Sequence, residues 1–161
     1  MIKLSEAVTD LDISEAYGLA IKAEEDGSAL YQKAIEMTDN PRAKEDLVFL
    51  RDQEKGHKAF FEKLLRDTGK EYKAESGSEL YLWVKENLFN PIQNALDNSA
   101  PKTYRDSLSL GIELEEKSIR FYKELKKAAE SKETQKAIGK IIKEEKRHKR
   151  FLNAVLTYSR E

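Results

Sequence analysis

Glu54-Lys55-Gly56-His57 and Glu145-Lys146-Arg147-His148 hold the only two histidines of the chain, and each histidine closes the same Glu-x-x-His phrase. The two phrases lie 91 residues apart. The same shift lays Glu24 on Glu115, Tyr31 on Tyr122, Ile21 on Ile112 and Phe60 on Phe151, with no gap. On a helix, positions i and i+3 share a face about one turn apart, so a Glu and a His at that spacing can reach one ion together. Two such phrases, with one further Glu from each of two other helices, make the ligand set of a dinuclear site in a four-helix bundle. Glu fills 21 of the 161 positions, so both histidines would follow a Glu at this spacing by chance roughly 2 times in 100. The two matched upstream acids make chance a poorer explanation still.

The rest of the chain supplies the four helices. Prolines stand only at 41, 91 and 101. A first helix is predicted from near Asp12 or Ser14 to Met37, with a core stripe of Tyr17, Ala20, Ile21, Glu24, Ser28, Tyr31 and Ile35. Thr38-Asp39-Asn40-Pro41 reads as a stop followed by an N-cap and a first-turn proline. The second helix then runs to about Arg66 with Leu47, Leu50, Glu54, His57, Phe61 and Leu64 on one face. A third begins around Pro101, with Ser99 as its cap, and carries Leu108, Ile112, Glu115, Ile119 and Tyr122. A fourth starts near Ser131 and carries Ile138, Ile141, Ile142, Glu145, His148, Leu152 and Val155. Residues equally far from a tight turn sit at equal height on an antiparallel helix pair. Glu24 and Glu54 are centred on position 39, and Glu115 and Glu145 on position 130. Each lone Glu should therefore face the Glu of its own hairpin partner. The 34 residues at 67–100 are too many for a plain turn. They are expected to cross the bundle end to end, leaving the second and third helices parallel. Within them, Ser78 to Leu88 reads as a short helix with Leu80, Trp83, Val84 and Leu88 on one side. Trp83 is expected to clamp the flank of the bundle.

Composition narrows the chemistry. The length suits one domain, residues 1–161, able to bury a core without disulfides. With no cysteine there is no disulfide, zinc–thiolate or iron–sulfur centre. The net charge of −1 argues against a nucleic-acid partner. The most basic stretch, Lys143 to Arg150, reads as a solvated helix face, with partner docking as the alternative. No apolar run approaches a membrane span, and no signal core opens the chain, so a cytoplasmic location is expected.

Carboxylate and imidazole suit divalent iron or manganese. Four carboxylates balance two divalent cations, which makes burial of the loaded site tolerable. Without metal the same four acids must protonate or repel. Glu54 and Glu145, each beside a His, are the natural bridges; Glu24 and Glu115 would be terminal. Glu25 and Glu116 also repeat but point about 100° away and read as solvated acids. Tyr31 and Tyr122, seven residues past the lone acids, are candidates for a phenol–carboxylate hydrogen bond or for a redox role. Gly56 and Gly111 sit in helix interiors at a cost of about 1 kcal/mol relative to alanine. Close helix approach is the expected reason, and a path for a small molecule the alternative.

At Glu24-Glu-Asp-Gly-Ser-Ala-Leu-Tyr31 and its echo Glu115-Glu-Lys-Ser-Ile-Arg-Phe-Tyr122, the chain resembles the rubrerythrin family of the ferritin-like di-iron carboxylate superfamily. The likeness covers both hairpins, about 12–66 and 101–158. It implies an all-α ferritin-like bundle, two iron ions held by Glu24, Glu54, His57, Glu115, Glu145 and His148, and reaction with hydrogen peroxide or dioxygen. The family's fused rubredoxin domain is absent, since its cysteines are, so electrons would come from an external donor. Ser118 stands where typical members carry a further Glu that takes part in redox-linked iron movement. The haem-ligating Met of bacterioferritin is replaced by Lys55, so no haem is expected. A homo-oligomer is expected, with a dimer favoured. Ferrous iron oxidation and storage in a larger shell, or a non-enzymatic metal-binding module, are the competing readings, and manganese remains an alternative to iron.

Overall fold

In the computed structural model, residue 4 and residues 13–71, 78–97, 103–129 and 131–158 are described, and the elements among them are all helical. Helix α1 spans Ile13–Met37 and α2 spans Pro41–Thr68. Between them the Asn40 side chain accepts from the backbone N–H of Arg42 and Ala43, and Pro41 occupies the first turn. That is the stop-and-restart expected from the sequence. Helix α2 outruns the expected end by two residues and closes on Gly69, whose φ of 69° is the left-handed cap conformation.

The crossing segment holds more helix than expected. Ser78 caps α3, Glu79–Val84, by accepting from Tyr81 N–H at 3.0 Å. A π-helical turn at Lys85–Phe89 leads directly into α4, Asn90–Asp97. The expected stop near Leu88 is therefore a register change. A proline at 91 removes an N–H and crowds the carbonyl four residues back. The wider turn just before it, in which Asn90 N–H bonds Lys85 O, lets the helix continue. Leu80, Val84 and Leu88 are buried as expected, and Trp83 packs against the core with Arg120 over its ring at 5.8 Å.

Helix α5 spans Tyr104–Ala128 and α6 spans Lys132–Tyr158. Thr103, not Ser99, caps α5, accepting from Asp106 N–H at 3.0 Å. Ser99 and Pro101 lie outside the described residues. Ser131 caps α6 through Thr134 N–H, as its position suggested.

Cross-helix contacts give the topology. Tyr31 pairs with Glu115 and Tyr122 with Glu24, so numbers rise along α1 as they fall along α5. Those helices are antiparallel, and each is antiparallel to its own hairpin partner. Helices α2 and α5 are therefore parallel, as the long crossing requires. The expected stripes on α2 and α6 are buried, except that Leu64 and Val155 are only half-buried. On α1 and α5 the buried face is wider than expected and takes in Ala16, Leu19, Leu30, Leu114, Phe121 and Leu125, while Ile21, Ser28, Ile35 and Ile112 are only half-buried. Helix α1 packs on α2, α5, α3 and α4 at once, so most of its circumference is covered.

Candidate metal centre

Two apolar clusters fill the bundle. One gathers Tyr31, Leu47, Leu50, Leu108 and Leu152, and the other is a larger group around Leu19, Phe61, Phe121, Ile138 and Ile142. Among these apolar helices lie buried Glu24, Glu54, His57, Glu115, Glu145 and His148, none more than 5% exposed. All six side chains expected from the sequence therefore converge, although they come from four helices.

They converge as two overlapping groups. Glu24, Glu54, His57 and Glu145 bring one ligand atom each within 4.8 Å of one another, and so do Glu54, Glu115, Glu145 and His148. Glu54 and Glu145 belong to both, the position of a bridge; Glu24 with His57 and Glu115 with His148 each belong to one. The histidines reach across the bundle. His57 Nδ1 lies 2.7 Å from Glu145 and 3.5 Å from Glu24, while His148 Nδ1 lies 3.1 Å from Glu54 and 3.4 Å from Glu115. Their rings face each other nearly parallel, 6.0 Å apart.

The outer atoms are held by neighbours the sequence reading passed over. His57 Nε2 donates to Glu144 at 2.6 Å, and His148 Nε2 donates to the Gln53 amide oxygen. Gln53 and Glu144 are themselves 91 residues apart, so the repeat could have exposed them; each sits just before a bridging Glu. The tyrosines complete the arrangement. Tyr122 donates to Glu24 at 2.6 Å and Tyr31 donates to Glu115. Each of these contacts has its counterpart under the 91-residue shift. Glu25 and Glu116 are exposed and pair with Lys58 and Lys149, the solvated role expected of them.

Unpartnered atoms test whether cations fit. Glu24 Oε2, His57 Nδ1, Glu115 Oε2 and Glu145 Oε1 are buried without a hydrogen bond. His57 Nδ1 and Glu145 Oε1 lie 2.7 Å apart without hydrogen-bond geometry. Nε2 is taken up by Glu144, so Nδ1 is left facing the carboxylate of Glu145. Two buried polar atoms facing one another unpaired leave a place that a cation would fill. The acids report the same stress. Burial, against the offsetting contacts of Glu54 and Tyr122, raises Glu24 to about 7. Burial and neighbouring carboxylates push Glu54 and Glu145 well above the ordinary range. Burial also acts upward on Glu115, but contacts with Glu145, His148 and Tyr31 outweigh it and hold this acid low. Burial opposes the charge of His148, yet Glu115 and Glu54 raise it to about 9. Both phenols are pushed well up by burial and the acids around them. Two divalent ions would neutralise the four carboxylates and take the place of these protons. The donor set of oxygen and imidazole nitrogen fits iron or manganese.

Three glycines bear on access and packing. Gly111 has Leu152 and Tyr31 at 3.3 and 3.4 Å from where a Cβ would stand, so close approach explains it. Gly56 has nothing within 4 Å, which corrects the expectation of close approach there. It lines instead a cleft of about 420 Å³ between α2 and α6, with Gln53, His57, Phe60, Ile141 and Glu144. Gly27, unremarked in the sequence, leaves room for Glu54, whose Oε2 would lie 3.1 Å from an added Cβ.

No curated protein and no solved structure matches the chain. Among the described residues, no helix is long and apolar enough to cross a membrane. The Rubrerythrin family model matches residues 2–65 and 15–156. With that match over most of its length and the buried Glu/His cluster of the bundle, the chain belongs to the rubrerythrin family.

Proposed function

We propose that this protein is a di-iron redox protein that reduces hydrogen peroxide, or reacts with dioxygen, using electrons from an external donor. The observation that carries this reading is the pair of ligand groups sharing Glu54 and Glu145. Glu54 and Glu145, common to both groups, would hold the two ions together with Glu24, Glu115 and the Nδ1 atoms of His57 and His148. Two bound irons would polarise the O–O bond and supply one electron each. The chain's own groups orient and shield. Tyr122 and Tyr31 hold the terminal carboxylates, one oxygen each, and leave the second oxygen free to ligate. Glu144 and Gln53 fix both imidazoles with Nδ1 inward. The cleft beside His57 and Gly56 offers a small oxidant a route between α2 and α6.

The test is stoichiometric peroxide consumption by iron-loaded, chemically reduced protein. Wild type should consume about one peroxide per two irons, and Glu54→Ala, checked for fold by circular dichroism, should lose most of the rate. Equal rates would overturn the reading.

A further inference from the structure

The outer groove between α5 and α6, about 590 Å³, is lined by Arg120, Lys123, Lys146, Lys149 and Arg150, with Glu116 as its one acid. This is a concentrated positive field on a chain of net charge −1. Lys149 is held by Glu116 at 3.1 Å and Arg120 lies over Trp83. Lys123, Lys146 and Arg150 are exposed and pair with no carboxylate among the described residues.

The repeat supplies an internal control for this groove. Shifted back by 91, the ion pair of Lys149 with Glu116 becomes that of Lys58 with Glu25, at 2.7 Å. Of the remaining cations only Lys146 has a counterpart, Lys55. Ala29, Gln32 and Ala59 stand where Arg120, Lys123 and Arg150 stand, and Glu62 stands in place of Asn153. The ligand-bearing faces of the two hairpins are alike, while their outer faces differ in charge. The surplus is therefore not a by-product of building the centre.

The groove also lies at the height of the candidate centre along both helices. Glu116, Lys146 and Lys149 each follow a ligand, Glu115, Glu145 and His148, by one residue. We propose that this groove docks the acidic face of a small one-electron carrier protein. The inference rests on the redox reading above, and names the external donor that reading requires. Two docking events deliver two electrons, one from each carrier. With two protons these cleave the O–O bond of one hydrogen peroxide and yield two waters, while two carriers are each oxidised by one electron. A compact site favours a protein over a nucleic acid. The cations sit within about one turn on each helix, and no aromatic ring lines the groove. Single strands are bound by extended basic tracks with stacking platforms.

The test uses the metal-loaded full chain, with a plant-type ferredoxin as the acidic carrier and a c-type cytochrome as the basic one. Calorimetry should show ferredoxin binding that weakens with salt, and no cytochrome binding. The variant K123E/K146E/R150E should bind ferredoxin at least about tenfold more weakly. Lys146→Glu alone should weaken binding, while Lys55→Glu, its mate in the repeat, should not. Peroxide turnover driven by reduced ferredoxin should fall about tenfold in the triple variant, while turnover driven by dithionite stays at the wild-type rate. Absent ferredoxin binding, equal binding by the triple variant, or tighter binding of a single-stranded DNA oligonucleotide would overturn the docking proposal. If dithionite-reduced protein consumes no peroxide, the redox reading fails instead, and calorimetry still decides the docking.

Discussion

Gln53 and Glu144 occupy equivalent places in the repeat yet differ in charge, and each holds the Nε2 of one imidazole. A carboxylate partner makes an imidazole a stronger electron donor than an amide does. The half of the centre holding His57 should therefore bind its cation more tightly than the half holding His148. Glu144→Gln should weaken the tighter of two Mn(II) binding steps about tenfold and bring the two closer together, while Gln53→Glu should strengthen the weaker. Competition titration with a chelator reads both steps without any turnover. Unchanged step affinities in both variants would remove the distinction. The six candidate ligands were legible in the sequence because the only two histidines each close the same phrase and the acids repeat at their offset. The repeat aligns Gln53 with Glu144, but a Gln and a Glu at one offset differ in type, so the alignment alone does not mark them. Only the reach of each histidine across to the other hairpin reveals their common task.

Helices α2 and α6 carry the Glu-x-x-His phrases, and their buried faces follow the expected stripes. Helices α1 and α5 bury far more, because the hairpin partner, the opposite hairpin and the crossing segment all cover them. Periodicity finds one buried face per helix; it cannot tell how many neighbours will arrive. The interior glycines make the same point. Both Gly56 and Gly111 break helix propensity, but one borders a cleft and the other meets Leu152 and Tyr31. Gly56→Ala should therefore stabilise the protein by up to about 1 kcal/mol. Gly111→Ala should destabilise it by about 1–3 kcal/mol through overpacking. Urea unfolding of the metal-free proteins distinguishes them, and effects of the same sign would contradict the packing described. The π turn before Pro91 belongs here too. The proline was visible, but whether it would end the helix or be absorbed depended on α3 and α4 both packing on α1.

Folding four buried acids into one chain ties stability to pH. Without metal, Glu24 keeps its proton to about pH 7 when folded, against an ordinary 4.5. Between those values the native state binds more protons than the unfolded chain, so this contribution is complete below about 4.5 and is lost as pH rises through 7. Glu54 and Glu145 act in the same sense. His148, raised to about 9, extends the loss upward from 6.5, while Glu115, held low, loses its stabilisation only in acid. The shift at Glu24 alone corresponds to about 3 kcal/mol. The Tm of metal-free protein should fall by about 5–10 °C from pH 5 to pH 8. Stabilisation by Mn(II) should grow over the same range, because the cation displaces these protons. Calorimetry with and without chelator checks both, and a metal-free Tm that rises with pH would contradict the account. The helical class, the hairpin pairing and the identity of the six convergent side chains could all be read from spacing alone, since helix geometry converts sequence offsets into faces and heights. Which histidine meets which acid, what holds its outer nitrogen, where the cleft opens and how Arg120 and Lys123 join the basic stretch Lys143 to Arg150 in one groove came only from the packed bundle. These are relations between residues on different helices, and no local period along one chain encodes them.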